Sequence, residues 1–298
     1  MHVPQFRFSR RSLTIATTLA GVLSVVIGAH AALNMRALDA AKAIATAQDN
    51  PATLRTSRIA LVIGNGHYPD ASAPLAQPIN DARALTASLR RDGFEVDVIE
   101  DASKDDMNRA VARLKSRIRP DSVVMLFFGG YGVQAGRESY MIPVDAAIWK
   151  ESDVRRDGLS VETVLDAMKE QGACAKLVVL DASRRNPYER RFRTFSHGLA
   201  PITAPDNALI LTSATPGQVA DDSNGQHSVL MSELLANLNS LNAGETNKAL
   251  ADRAAAAEAI FNKTRIAISR ASDGAQVPSV SSSLLEDVRF GVTANAGG

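Results

Sequence analysis

The chain has 298 residues, 45% hydrophobic and 22% charged, with a formal net charge of +1. This is a globular composition with room for one sizeable domain plus a targeting segment, and its near-balanced charge argues against nucleic acid as a partner. A single cysteine, Cys174, excludes an intramolecular disulfide and a cysteine-based zinc site.

Arg7, Arg10 and Arg11 precede an apolar run from Leu13 to about Gly28, and Ala29-His30-Ala31 supplies small residues at a cleavage point. Residues 1–31 therefore read as an export signal. Ser9-Arg10-Arg11-Ser12-Leu13 also resembles the twin-arginine pattern of proteins exported after folding. The apolar run is close to the length that spans a bilayer, so an uncleaved membrane anchor stays open. Either reading puts the folded part outside the cytoplasm, periplasmic or anchored in the inner membrane facing the periplasm. Residues 1–31 contain no acid, so their removal leaves 30 basic against 32 acidic residues. Residues 32–57 read as a polar, alanine-rich linker, helical in part.

From Arg58 the periodicity alternates between strand and helix. Arg58–Gly64 (RIALVIG) reads as a buried strand, and Ile79, Ala82, Leu85 and Leu89 then recur at helical spacing. Phe94–Ile99 alternates as a strand does. Ser103 and Asp106 form a capping box ahead of a helix face of Met107, Ala110, Val111, Leu114 and Ile118. Ser122–Phe128 is a third strand, followed by a hairpin-like stretch. Ser160 caps a helix carrying Val161, Val164, Leu165 and Met168. Lys176–Leu180 and Ala208–Leu211 are further strands, and helices at about 228–240 and 246–271 close the domain. This order predicts an α/β fold, a mostly parallel sheet with helices on both faces.

Ligands of such sheets bind beyond the carboxyl ends of the strands. Three segments with useful chemistry fall there: Gly64-Asn65-Gly66-His67, Gly129-Gly130-Tyr131-Gly132 and Asp181-Ala182-Ser183. Right-handed crossovers would bring all three to one rim. Ser183 lacks the glycines of a nucleophile elbow, and Pro69 stands where a dinucleotide fingerprint needs its third glycine. No G-K-[ST] phosphate loop occurs. His67, His197 and His227 have no metal-ligand spacing and read as loop residues or local hydrogen-bonding groups.

Phe127-Phe128-Gly129-Gly130-Tyr131-Gly132 resembles the Y-A-G-H-G segment of caspase-like peptidases, and Asp181-Ala182-Ser183-Arg184 resembles their D-A-C-R. Ile63-Gly64-Asn65, Asn80-Asp81-Ala82, Met141-Ile142-Pro143-Val144-Asp145 and Gln276-Val277-Pro278 extend the resemblance from Arg58 to about Gly291. Together they are similar to the bacterial metacaspase or orthocaspase branch. The resemblance implies a caspase-type sheet over 58–291, with a large-subunit region to about 200 and a small-subunit-like region after it, and a tail at 292–298. It also implies peptide hydrolysis by a His-Cys dyad.

Both dyad positions are substituted, by Tyr131 and Ser183. A serine hydroxyl needs a strong base to become a nucleophile. A phenol is ionised in only about one molecule in a thousand at pH 7. The expectation is therefore an inactive pseudopeptidase; the alternative is an endopeptidase cutting after Arg or Lys with Ser183 as nucleophile and His67 or another group as base. A small-molecule-binding α/β domain is a third reading, by fold analogy alone. The resemblance makes Gly132 and Ser183 the oxyanion amides and matches Asp81 and Asp181 to the acidic pocket that accepts Arg or Lys. Paired carboxylates suit a guanidinium, although Asp81 could equally serve its helix N-terminus and Asp181 its loop amides. The expected partners are peptide or protein segments with Arg or Lys. No cofactor and no metal ligand is expected, with calcium left open. Arg190, Arg191 and Arg193, downstream of Ser183, could block such a pocket from within the chain.

Overall fold

In the computed structural model, which describes residues 57–69, 74–188, 198–220, 225–240 and 255–290, Arg58–Gly64 forms the first strand, β1. Its β-branched run suits a strand buried on both faces. Pro78–Arg91 (α1) follows, with proline in the first turn where no helical N–H is lost. Glu95–Glu100 is β2, one residue later than the alternation suggested. Lys104–Arg117 (α2) starts at the expected capping box: Ser103 accepts from the Asp106 amide, and Asp106 receives the Ser103 amide. Val123–Gly129 is β3, and the hairpin-like stretch becomes β4 (Gly132–Ala135) and β5 (Glu138–Met141), paired antiparallel.

A short helix, α3 (Glu151–Asp157), and the two-residue β6 (Leu159–Ser160) lead into α4 (Val161–Glu170), whose Ser160 cap accepts from Thr163. Ala175–Asp181 is β7 and Ala208–Thr212 is β8. Val229–Ser240 forms α5. The last expected helix is shorter than its alanine-rich sequence suggests. Ala255–Ala256 is a strand, β9, and α6 runs Ala257–Ala271; residues 246–254 lie outside the described residues. Ser279–Ser282 (β10) and Arg289–Phe290 (β11) complete the elements, and β11 pairs antiparallel with β9. That tertiary pairing overrides the helix propensity of alanine.

The main sheet has the order β10-β8-β7-β3-β1-β2, parallel throughout except for β10, which runs antiparallel to β8 at one edge. Successive strand residues enter opposite layers. Val62, Met125, Phe127 and Val179 pack with α1, α5 and α6. Ile63, Leu126, Phe128 and Val178 pack with α2 and α4. Each such fully buried large side chain contributes roughly 2 kcal/mol, so the two layers hold the strand ends rigidly. A third cluster, including Tyr68, Tyr131, Tyr140 and Tyr188, packs around the β4–β5 hairpin.

The register brings the three candidate loops together. Gly64 of β1 pairs with Gly129 of β3, and Gly129 pairs with Asp181 of β7. One rim of the sheet therefore carries all three. Residues 1–31, expected as an export signal or anchor, the expected linker up to residue 56, the expected tail at 292–298 and Arg190, Arg191 and Arg193 lie outside the described residues. No helix among the described residues is long and apolar enough to cross a membrane.

Candidate functional site

The rim is built around the junction of β1 and α1. A Cβ on Gly64 would fall 2.5 Å from the Pro78 carbonyl oxygen, so only glycine lets the first turn of α1 press against the end of β1. That approach carries Asp81, in the first turn, into the interior, where it is 0% exposed. Asn65, next along the chain, ties the neighbouring loops together. Its Oδ1 accepts from the Ala102 amide at 2.9 Å, and its Nδ2 donates to the Ile142 carbonyl at 3.2 Å.

Asp81 does not cap its own helix through a side-chain bond; its partners come from far along the chain. His227 Nδ1 lies 2.8 Å from Asp81 Oδ1, and the Ser228 amide donates to Oδ2 at 3.2 Å. Ser228 in turn accepts from the Met231 amide at 3.0 Å, so the turn that starts α5 is what presents His227. Burial, and next the charge of Asp181, push the Asp81 carboxyl up to about 6, although the His227 and Ser228 hydrogen bonds favour its ionised form. Asp81 and Asp181 are thus brought together electrostatically on one rim. Asp181 is buried as well, with Arg184 Nη2 3.7 Å from its Oδ2.

The two residues that the motif resemblance matches to a dyad have a different environment. Tyr131 is buried in the aromatic cluster, edge-on to Tyr68 with ring centroids 4.8 Å apart. Its amide donates to the Tyr68 hydroxyl at 3.1 Å, and that hydroxyl donates to the Ile142 carbonyl. Burial holds the Tyr68 phenol far above its ordinary range, so it is no base. Ser183 is 0% exposed, and its Oγ has no hydrogen-bond partner among the described residues. Neither Tyr131 nor a described histidine therefore reaches it. His67, considered as a base, is solvent-exposed and pairs with Asp101 at 2.6 Å.

The two amides matched to an oxyanion site both point at protein acceptors. Gly132 N donates to the Ala182 carbonyl at 3.0 Å, and Ser183 N donates to Ser213 Oγ at 3.3 Å. Gly132 is obligatory here for close packing: a Cβ would meet Leu199 Cδ2 at 2.5 Å and the Ala182 oxygen at 2.7 Å. Gln276 braces the same corner by donating to the Ser213 carbonyl at 2.8 Å. Among the described residues no three His, Cys, Asp or Glu side chains converge as metal ligands.

A buried hydroxyl without a partner is an energetic cost of about 1–3 kcal/mol. Ser183→Ala is therefore expected to raise the unfolding free energy by about 1 kcal/mol. Urea unfolding checks this, and a loss of stability would show that the hydroxyl is satisfied in solution.

The caspase domain model matches residues 57–289. The chain belongs to the caspase domain family. Among curated relatives of this caspase-domain chain is mucosa-associated lymphoid tissue lymphoma translocation protein 1 of Homo sapiens, 30% identical over 137 residues. Its homolog in Mus musculus is 31% identical over the same length. The matched segment is 46% of this chain but 16% of each relative, so the chain spans a small part of their length.

The caspase-family sheet explains why Asp81, Tyr131, Gly132, Asp181 and Ser183 gather on one rim. Sequence reasoning set His227 aside, since a lone histidine has no periodic partner, and its contact with Asp81 spans 146 residues. The one local signal was Ser228 directly after it, a cap-type residue ahead of an apolar helix.

Proposed function

We propose that this caspase-family chain is a pseudopeptidase that binds Arg- or Lys-containing peptide segments through Asp81 and Asp181 without cleaving them. The observation that carries the reading is the contrast within one rim: a sealed Ser183 hydroxyl with no hydrogen-bond partner among the described residues, beside two buried carboxylates. A serine so placed is not activated, because no described residue takes its proton. A carboxylate such as Asp81, whose ionisation is opposed by burial and by the charge of Asp181, is relieved by an added cation, and a guanidinium suits a carboxylate best. The composition of residues 1–31 supports an exported protein, either released into the periplasm or anchored facing it.

Two measurements test this. Purified protein is expected to hydrolyse Arg- and Lys-ending reporter peptides at the rate of a Ser183→Ala control, with or without calcium. Turnover that disappears in Ser183→Ala would establish an endopeptidase instead. An end-blocked peptide with one arginine is expected to bind more tightly than its citrulline twin. Asp81→Asn combined with Asp181→Asn should weaken that binding by at least about tenfold, the scale of a buried charge contact. Equal affinity in the double variant would make both carboxylates purely structural.

A further inference from the structure

The end of the sheet opposite the rim holds a cavity of about 320 Å³. Small-ligand sites start at about 300 Å³. Its lining includes the first residue of each of three neighbouring strands, Arg58 of β1, Val123 of β3 and Ala175 of β7, which stand in register. The connection from β10 to β11 adds Leu284, Glu286 and Val288. That connection is fixed near both ends. The Leu285 amide donates to Asn207 Oδ1 at 3.1 Å, and the Val288 carbonyl accepts from the Ala257 amide at 2.6 Å. The cavity is thus built into the fold.

Its two sides carry opposite charge. On the β1 side, Arg58 Nη1 donates to the Asp92 carbonyl at 3.1 Å, and the guanidinium lies over the Phe94 ring, 5.7 Å from the centroid. Burial lowers the Arg58 pKa in spite of the Asp92 charge, so this cation is under-compensated and has donors left for a carboxylate. On the β7 side, burial first and then the charges of Asp121 and Glu286 hold the Cys174 thiol above its ordinary range, outweighing Lys176. The field there is negative and suits an ammonium. Arg289 and Asp287, in the same lining, pair with each other at 3.5 Å and cancel. Val123, Ala175, Leu284 and Val288 supply an apolar wall. One strand, β3, separates β7 from β1, so the two sides stand two strand spacings apart, about 10 Å. A single amino acid carries both charges on one carbon and does not span this. Two or three extended residues, at about 3.4 Å each, do.

We propose that this cavity is a second peptide site, for a zwitterionic peptide of about two or three residues. Its carboxylate meets Arg58, its ammonium meets Glu286, and an apolar side chain lies against Leu284 and Val288. The site is independent of Asp81 and Asp181, and stands whether or not those carboxylates take a cation.

Cys174 is the sole cysteine of the chain and is exposed, so its alkylation reads the cavity at one position. The test uses the full chain, iodoacetamide, and dileucine beside its N-acetyl and C-amide forms. Dileucine is expected to slow alkylation severalfold at saturation, and the concentration dependence of the rate gives its affinity. Acetylation or amidation should each weaken that affinity about tenfold, the scale of one charge contact. Glu286→Gln, at an exposed position, should abolish the preference for the free amine and keep the preference for the free carboxylate. An alkylation rate that dileucine leaves unchanged up to its solubility overturns the proposal. Equal affinity for all three ligands, or a Glu286→Gln variant that still prefers the free amine, overturns it as well, by removing the recognition of the two charged ends.

Discussion

Asn65→Ala is expected to lower the unfolding free energy by about 2–3 kcal/mol, the largest loss we anticipate from a polar residue at the rim. The side chain is fully buried and serves as a connector rather than as a ligand group. Its Oδ1 takes the Ala102 amide at 2.9 Å; its Nδ2 reaches the Ala102 carbonyl at 3.4 Å and the Ile142 carbonyl at 3.2 Å. Truncation orphans the buried Ala102 amide, at a desolvation cost of about 1–3 kcal/mol, and leaves a gap where the side chain was. The Ala102 and Ile142 carbonyls keep the Val144 amide and the Tyr68 hydroxyl as donors. Asn65→Asp is a sharper test, since it keeps the acceptor for Ala102 but turns a negative oxygen towards two carbonyls. It should be at least as damaging as alanine. Urea unfolding with an unchanged slope would measure both losses. A cost under about 1 kcal/mol for alanine would show that water replaces the side chain and that Asn65 does not hold the rim.

Asn65 also illustrates what could be read from the chain and what could not. Its position after a buried apolar run put it at the carboxyl end of a strand; the register of Gly64 with Gly129 and of Gly129 with Asp181, which sets it beside the other two loops, came from the structure. Elements announced by local chemistry, such as the Ser103 capping box or the β-branched run of β1, were legible because their causes lie within a few residues. Elements whose causes are distant were not. The edge strand β10 is half-exposed and serine-rich, and exists because β8 offers it a partner. The helix α6 begins late because Ala255 and Ala256 pair with Phe290 and Arg289. At the site, Asp81, Asp181, Tyr131 and Ser183 were singled out by motif resemblance. By contrast, the His227 contact with Asp81 depends on the path of the chain into α5. The burial of Arg184 likewise follows from the fold of the loop after β7, since an arginine in sequence reads as a surface residue.

Affinity for an arginine peptide is expected to fall about tenfold between pH 7 and pH 5, because a carboxyl with a pKa near 6 changes from mostly ionised to mostly protonated over that span. Burial is the main cause of that raised value and the charge of Asp181 the next, so the group a guest cation seeks is one the folded protein ionises reluctantly. Stability should move the other way. Between the ordinary aspartate value of 3.8 and about 6, the folded state holds a proton on Asp81 that the unfolded chain has already released. Its contribution to the unfolding free energy is therefore full below that window, declines as pH rises through it, and is lost above it, by at most about 3 kcal/mol. Carboxyls held low by their partners, such as Asp157 beside Arg156 and Asp106 beside Ser103, contribute with the opposite sign. For that reason the variant Asp81→Asn is the reference: the stability of wild type relative to it should drop from pH 4 to pH 7. The same variant should bind the arginine peptide weakly, with no pH dependence over 5 to 7. Peptide titrations at fixed ionic strength and urea unfolding at matched pH values measure the two trends on one protein. An affinity flat from pH 5 to pH 7 in the wild type, or a stability difference that does not change with pH, would mean that Asp81 is ionised throughout and that its burial carries no cost for a cation to relieve.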